Sequence, residues 1–201
     1  MSKAILAAIP IKPFGVAKQR LSSRLDARHR SEIGRAVAAH TAAAATDAGA
    51  LVAIVTGDSG VERWARRLGY LVVSETLSGH AGLDGAAASA VMEAMRRQRP
   101  WAVIHADLPL VTPSALNGVF AASPAGTVIV PSYNGGTNIV AGNGSGFRFA
   151  YGPGSFSRHL ATNRQVTVHT DPHLALDLDT TADLDRAMTL AAGRWLALLV
   201  G

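Results

Sequence analysis

The chain has 201 residues, 48% of them hydrophobic and 16% charged, and no cysteine. That is room for one ordinary domain with a sizeable core. The lack of cysteine excludes a disulfide scaffold, a thiolate metal site and a cysteine nucleophile. Lys and Arg number 19 against 14 Asp and Glu, giving a net charge of +5 and a pI near 10.2, which suits an anionic ligand without choosing among nucleic acid, phosphate and membrane surface.

The first apolar run, Ala4 to Ile11, is interrupted by Pro10, leads into Lys12 and lacks a well-placed small-residue cleavage site, so a secretory signal is not expected. The last run, Trp195 to Val200, is far short of the ~20 residues a spanning helix needs. The expectation is a soluble, cytoplasmic protein with a single domain over residues 1–201.

In chain order, 3–11 reads as a strand buried on both faces. Residues 28–48 read as a long Ala-rich helix stopped by Gly49. Strand 51–56, helix 59–68, strand 70–74, helix 84–98 and strand 101–106 follow. Helix 113–121 has Pro in its first turn, and strand 127–131 comes next. This alternation predicts an α/β fold: a Rossmann-like open sheet, mostly parallel. Beyond 132 the pattern changes to Gly and Asn, short β segments and an Asp-rich stretch, so mixed strands are expected in the C-terminal half, then a final helix at about 181–199. Ligands of such sheets sit outside the carboxyl ends of the strands, which singles out 12–24, 75–85, 107–112 and the loops after 131.

Between Lys12 and Arg35 there are seven Lys/Arg against Asp26 and Glu32. A Gly-containing loop bearing Lys12, Lys18 and Arg20 at a strand exit can neutralise phosphates; the bland reading is a solvated basic helix cap. No G-x-x-x-x-G-K-[ST] or G-x-G-x-x-G follows the first strand, which excludes a P-loop ATPase and disfavours a dinucleotide-binding domain. His105-Ala106-Asp107-Leu108-Pro109 closes the fourth strand with a carboxylate that could bind Mg²⁺ or simply cap a turn.

In Leu176-Asp177-Leu178-Asp179-Thr180, the two aspartates would share one face of a strand about 7 Å apart, a repulsive pair unless a cation or basic group lies between them. With Asp107 they make three carboxylates for one or two Mg²⁺ ions. Thr180 or Thr181 reads as an N-cap, with Asp183 structural inside the first turn. Asn134-Gly135-Gly136-Thr137 and Tyr151-Gly152-Pro153-Gly154-Ser155 could converge as an anion site, with hydroxyl donors from Thr137 and Ser155. His159 reads as a packed or hydrogen-bonding histidine rather than a metal ligand. Gly79 to Gly85, with Gly82 and Asp84, could let a base or ribose approach the backbone.

Taken together, Lys12-Pro13-Phe14…Lys18-Gln19-Arg20-Leu21-Ser22, His105-Ala106-Asp107-Leu108-Pro109, Gly136-Thr137-Asn138, Tyr151-Gly152-Pro153-Gly154-Ser155-Phe156 and Leu176-Asp177-Leu178-Asp179-Thr180 resemble the CofC/FbiD family of guanylyltransferases of coenzyme F-420 biosynthesis. The resemblance implies a fold like the nucleotide-diphospho-sugar transferases. It also implies transfer of GMP from GTP to phosphoenolpyruvate, 2-phospho-L-lactate or 3-phospho-D-glycerate, with release of pyrophosphate. Carried over by motif, Asp107, Asp177 and Asp179 would bind Mg²⁺, and Thr137, Gly152 and Ser155 the phosphorylated acid. Lys12, Lys18 and Arg20, with Gly79, Gly82 and Asp84, would serve GTP. Asp84 departs from the pattern, since many relatives carry Asn there, and a carboxylate can accept from guanine N–H groups but cannot donate to its carbonyl.

Two rivals frame that reading. One is another Mg²⁺ nucleotidyltransferase of cytidylyl or molybdopterin type. The other is a non-catalytic module binding phosphate or RNA, which the 5% aromatic content disfavours because it supplies few stacking platforms, and which gains nothing from the three aspartates. No nucleic-acid or membrane partner is expected. Apolar residues fall on all faces of the C-terminal helix, which predicts either intramolecular burial or a homodimer through Trp195 or Leu199.

Overall fold

The computed structural model describes residues 3–16 and 18–200. Its first half runs β1 (Leu6–Pro10), α1 (Ala27–Asp47), β2 (Leu51–Thr56), α2 (Ser59–Arg67), β3 (Leu71–Ser74), α3 (Gly82–Arg96) and β4 (Trp101–Ile104). The second runs α4 (Pro113–Ala122), β5 (Thr127–Pro131), β6 (Thr137–Gly142), α5 (Ser155–Thr162), β7 (Val166–Val168), α6 (Pro172–Ala175), α7 (Thr181–Thr189) and α8 (Ala197–Val200). Short 3₁₀ turns lie at Phe14–Val16, Gln19–Leu21, Ser123–Ala125 and Ala191–Leu196.

Several helices, though not α3 or α5, begin where a side chain satisfies a free backbone N–H group of the first turn. Asp26 accepts from His29 N at 2.8 Å, Asp58 from Val61 N at 2.8 Å, and Thr112 from Ala115 N at 3.2 Å. Thr180 and Asp183 form a reciprocal capping box on α7, the structural role expected of Asp183. Glycines carry a positive φ after α1 and α2, at Gly49 (81°) and Gly69 (79°), a conformation that costs glycine little.

The seven strands form one sheet in the order β3-β2-β1-β4-β6-β5-β7. Only β6 runs against its neighbours; every other pairing is parallel. Successive residues of β1 point to opposite faces. Ala7 and Ile9 enter a core with α1, α2 and α4, whereas Leu6 and Ala8 enter another with α3 and Trp101. Burial on both faces is why the strand reads as a continuous apolar run. A third core joins Leu21, Ile33 and Val37 to Leu176, Leu178, Leu184 and Leu196.

Three local expectations are corrected. The single helix expected over 181–199 is interrupted at Leu190, whose φ and ψ are −91° and 142°. The chain then folds back so tightly that a Cβ on Gly193 would stand 2.2 Å from the Ala187 carbonyl oxygen. The bend explains the all-round apolar pattern: Leu196 is buried, Trp195 and Leu199 pack on the third core, and the Trp195 indole donates to Pro109 O at 3.2 Å. The segment 176–179 is extended but pairs with no strand; Leu178 N instead donates to Asp107 O at 2.9 Å. Finally, α3 begins at Gly82, two residues earlier than expected, with loop 79–81 lying so close that a Cβ on Gly85 would stand 2.1 Å from His80 O.

Candidate active site

The parallel strands β1, β2 and β4 end together, and their exits open on a cavity of about 640 Å³. Lys12, Lys18, Gly82, His105 and Asp107 line it, with Pro10, Phe14, Val55, Leu83 and Ala86 supplying apolar walls. A separate hollow of about 550 Å³, between Arg28, Arg35, Trp64 and Leu68, contains none of the expected site residues.

Asp107 follows β4, and Lys18 reaches it from the exit of β1. The Lys18 ammonium lies 2.5 Å from Asp107 Oδ2 and 3.6 Å from Asp179 Oδ1, with its side chain 8% exposed. Arg20, by contrast, is 77% exposed and reaches only to 4.0 Å from Asp179. The Lys18 backbone is left-handed, with φ 58°, a conformation that a non-glycine residue holds only when its surroundings fix it. Here the two carboxylates anchor its far end.

Burial opposes charge on the Lys18 ammonium, but Asp107, Asp179 and Asp177 together outweigh it and hold its pKa above the ordinary lysine value. Burial likewise opposes the Asp107 carboxylate; the Lys18 charge, His105 and the hydrogen bond from Lys18 overcome it and hold the pKa low. Asp177 goes the other way, pushed up by burial and then by the like charges of Asp107 and Asp179. Asp177 therefore feels the other two carboxylates, on an extended segment whose leucines face the core.

Among the described residues, no three carboxylate or imidazole side chains stand close enough to cage an ion as they are; Lys18 supplies the positive charge between two of them. The donors still suit a hard cation. Asp107 Oδ1 is buried with no hydrogen-bond partner, and Mg²⁺ needs only one or two carboxylates beside its waters.

Because β6 is antiparallel to β4, its first residue lies at the same sheet edge as the last residues of β4. Ile104 pairs with Ile139, and His105 N donates to Asn138 O at 2.9 Å. This brings Thr137 and the Gly-rich loop before it beside the aspartates. The Asn134 amide donates to Asp177 Oδ2 at 3.1 Å, linking loop to carboxylates. The second Gly-rich turn converges on the same place: Phe156 N donates to Gly135 O at 3.3 Å and Ser155 Oγ to Thr137 Oγ1 at 3.2 Å. Gly152 has φ 111°, and a Cβ there would meet the Arg158 guanidinium at 2.9 Å.

Asp84 lies on the first turn of α3, but its Oδ1 accepts the Tyr151 N–H at 2.8 Å. It is tied to the turn that carries Gly152 and Ser155. Gly79 has φ 77° and is not among the residues lining the cavity. Four residues beyond those given a substrate or metal role also meet here, among them His159, expected to be packed or hydrogen-bonding. Asn134 bridges to Asp177. His105 and Tyr151 lie with ring centroids 5.4 Å apart and planes tilted by 37°, with His105 Nε2 and the Tyr151 hydroxyl buried and unpartnered. His159 bonds Thr137. His105 and Tyr151 fall inside quoted motifs, so proximity to a motif was the only local signal for them.

Lys18 and Asp107 thus stand in a largely apolar cavity, while Thr137 and Ser155, both buried, and Gly152 lie outside its lining, on the turn that Asn134 ties to Asp177. Comparisons with known proteins bear on the family and the fold. The family model described as "Guanylyl transferase CofC like" matches residues 5–195. A phosphoenolpyruvate guanylyltransferase of Nocardia farcinica (strain IFM 10152) is 34% identical over 94% of this chain and 88% of its own length. A 2-phospho-L-lactate guanylyltransferase of Archaeoglobus fulgidus is 29% identical over 88% of this chain and 80% of its own. In fold, a nucleotidyl transferase from Methanothermobacter superposes with a TM-score of 0.60 at 17% identity, covering 92% of this chain and 96% of that one. Among the described residues, no helix is long and apolar enough to cross a membrane. The family match over nearly the whole chain, on a fold shared with nucleotidyl transferases, shows that the chain belongs to the CofC-like guanylyl transferase family and is a nucleotidyltransferase.

Proposed function

We propose that this enzyme transfers GMP from GTP to a small phosphorylated carboxylic acid (phosphoenolpyruvate, 2-phospho-L-lactate or 3-phospho-D-glycerate) and releases pyrophosphate, as a cytoplasmic step of coenzyme F-420 biosynthesis. The observation that carries this reading is the meeting of carboxylates and a hydroxyl-bearing turn at one end of the strands, where Asn134 ties the Asp107–Asp177–Asp179 group to the Thr137–Ser155 turn. GTP occupies the cavity of about 640 Å³, a size usual for a small-molecule site, with Gly82 at its wall and Lys12 and Lys18 toward the phosphates. The acid lies against Thr137, Gly152 and Ser155.

An oxygen of the acid's phosphate attacks the α-phosphorus of GTP; the new P–O bond forms as the bond to pyrophosphate breaks. That oxygen is already ionised, so no side chain need act as nucleophile, and the chain's contribution is orientation and charge stabilisation. Lys12, Lys18 and Arg20 would offset charge on the nucleotide phosphates. Mg²⁺ would be held by Asp107, Asp177 and Asp179, and when bound it supplies further neutralisation of phosphate charge.

The test measures pyrophosphate release for each nucleoside triphosphate with each acid, with and without Mg²⁺. Release is expected with GTP and at least one of the three acids, and only with Mg²⁺. Release with CTP but not GTP, or with no acid present, would overturn the reading.

A further inference from the structure

His159 is a buried histidine whose ring is held from both sides. It is 0% exposed, sits on α5, and is packed by Phe147 and Tyr151 with ring centroids 5.3 and 5.0 Å away. Its Nε2 lies 2.9 Å from the backbone nitrogen of Ala150. A backbone N–H can only donate, so Nε2 accepts and carries no proton. In a neutral ring the proton is then on Nδ1, which stands 3.0 Å from Thr137 Oγ1 and donates to it. The groups facing the ring are Asp84 from α3, Arg158 from α5 and His105 from the exit of β4. Burial dominates all three, with a pKa lowered to about 4, so the ring stays neutral.

The hydrogen count then decides what Thr137 and Ser155 present. The two hydroxyls, 3.2 Å apart, own two protons. One is used in the bond between them. Because the imidazole donates into Thr137, it takes a lone pair and no proton, so one hydroxyl proton of the pair remains free. With the opposite tautomer, Thr137 would donate to Nδ1 and Ser155 to Thr137, and the pair would offer only lone pairs, which repel an anion.

We propose that His159 is a positioning residue whose tautomer, fixed by the Ala150 N–H, makes the Thr137–Ser155 pair a hydrogen-bond donor to the anionic acid. This rests on the assignment of that pair to the acceptor site. His159 touches no substrate; it acts through Thr137.

The test has two arms. In the substrate-free protein, ¹⁵N-histidine NMR is expected to show Nδ1 protonated and Nε2 bare, unchanged between pH 5 and 8; an Nε2–H tautomer would overturn the proposal without any assay. In kinetics, His159→Gln keeps an acceptor for Ala150 but loses the donor to Thr137. It is expected to raise the acid's KM about ten- to a hundredfold while GTP's KM moves less than about twofold. His159→Asn, whose amide can replace Nδ1–H, is expected to recover most of that loss. In a Thr137→Val background, His159→Gln should add less than about twofold; full additivity would show that His159 acts independently of Thr137 and overturn the proposal. Should His159→Gln fail to fold, the NMR arm and His159→Asn still decide. If Thr137→Val shifts GTP's KM instead of the acid's, the acceptor assignment falls while the tautomer result stands.

Discussion

Lys18 balances Asp107 and Asp179 from a largely buried position, so neither aspartate is an ordinary surface carboxylate. Asp107→Asn and Asp179→Asn each remove a charge that would balance a divalent cation. Each is expected to lower turnover at least about a hundredfold, with circular dichroism unchanged; near-normal activity in both would refute a carboxylate site for Mg²⁺. At the other end of the site, Thr137→Val and Ser155→Ala should raise the acid's KM more than GTP's, since a hydrogen bond to a charged group is worth roughly 1.5–3 kcal/mol. His159 also gives stability a pH dependence. Its pKa is about 4 in the fold and ~6.5 in the unfolded chain. Between those values the unfolded chain binds a proton that the folded one does not, so stability is present above pH ~6.5 and falls as the pH drops toward 4, by on the order of 3 kcal/mol at most. Glu93, held down to about 2 chiefly by its Arg96 hydrogen bond and then by Arg97, loses its share only at lower pH, from about 4.5 to 2. Urea midpoints between pH 4 and 7 should show the first slope in the native protein and a flatter one in His159→Asn.

At the scale of elements, the acceptor turn is clamped from two helices. Asp84 on α3 holds the Tyr151 N–H, while Arg158 on α5 donates to Tyr151 O at 2.7 Å. Asp84 was expected beside the nucleotide base; its bond to Tyr151 gives it a second role that connects the two halves of the site. Asp84→Ala is expected to raise amide exchange at Tyr151 at least about tenfold and to increase the acid's KM. Altered base preference with unchanged exchange would return Asp84 to the nucleotide. The strands and helices themselves were largely legible. β2 and β5 occupy the expected residues, and Thr180 caps α7 as one of the two expected candidates; Asp26, Asp58 and Thr112, not singled out beforehand, cap by the same chemistry confined to neighbouring residues. The final helix was misjudged because apolar residues on every face look alike whether a straight helix is buried all round or a bent segment turns different faces inward. Gly193, which permits the bend, is locally an unremarked glycine.

For the whole molecule, the C-terminal segment bears on the homodimer expected through Trp195 or Leu199. Both residues pack on the chain's own third core, and Leu198, 87% exposed, is the most exposed large apolar side chain there among the described residues, followed by Leu190. Light scattering at micromolar concentration is therefore expected to give one chain's mass, 20.8 kDa. A doubled mass that Leu198→Glu returns to a single chain would instead establish a dimer through this end. The strand–helix alternation, most helix starts of the first half and the motif residues could be read from local sequence, because periodicity and turn chemistry act over a few positions. The sequence also carried the family, through motifs spread along the chain. Only the folded chain shows that β6 runs against β4 and so brings Thr137 beside Asp107, that Lys18 lies between two aspartates, that Asp84 holds Tyr151, and that the Ala150 N–H meets His159 Nε2. The Ala150–His159 bond spans nine positions, and the other contacts reach as far as 161. Strand order and side-chain packing set such partners, and local sequence pattern does not contain them.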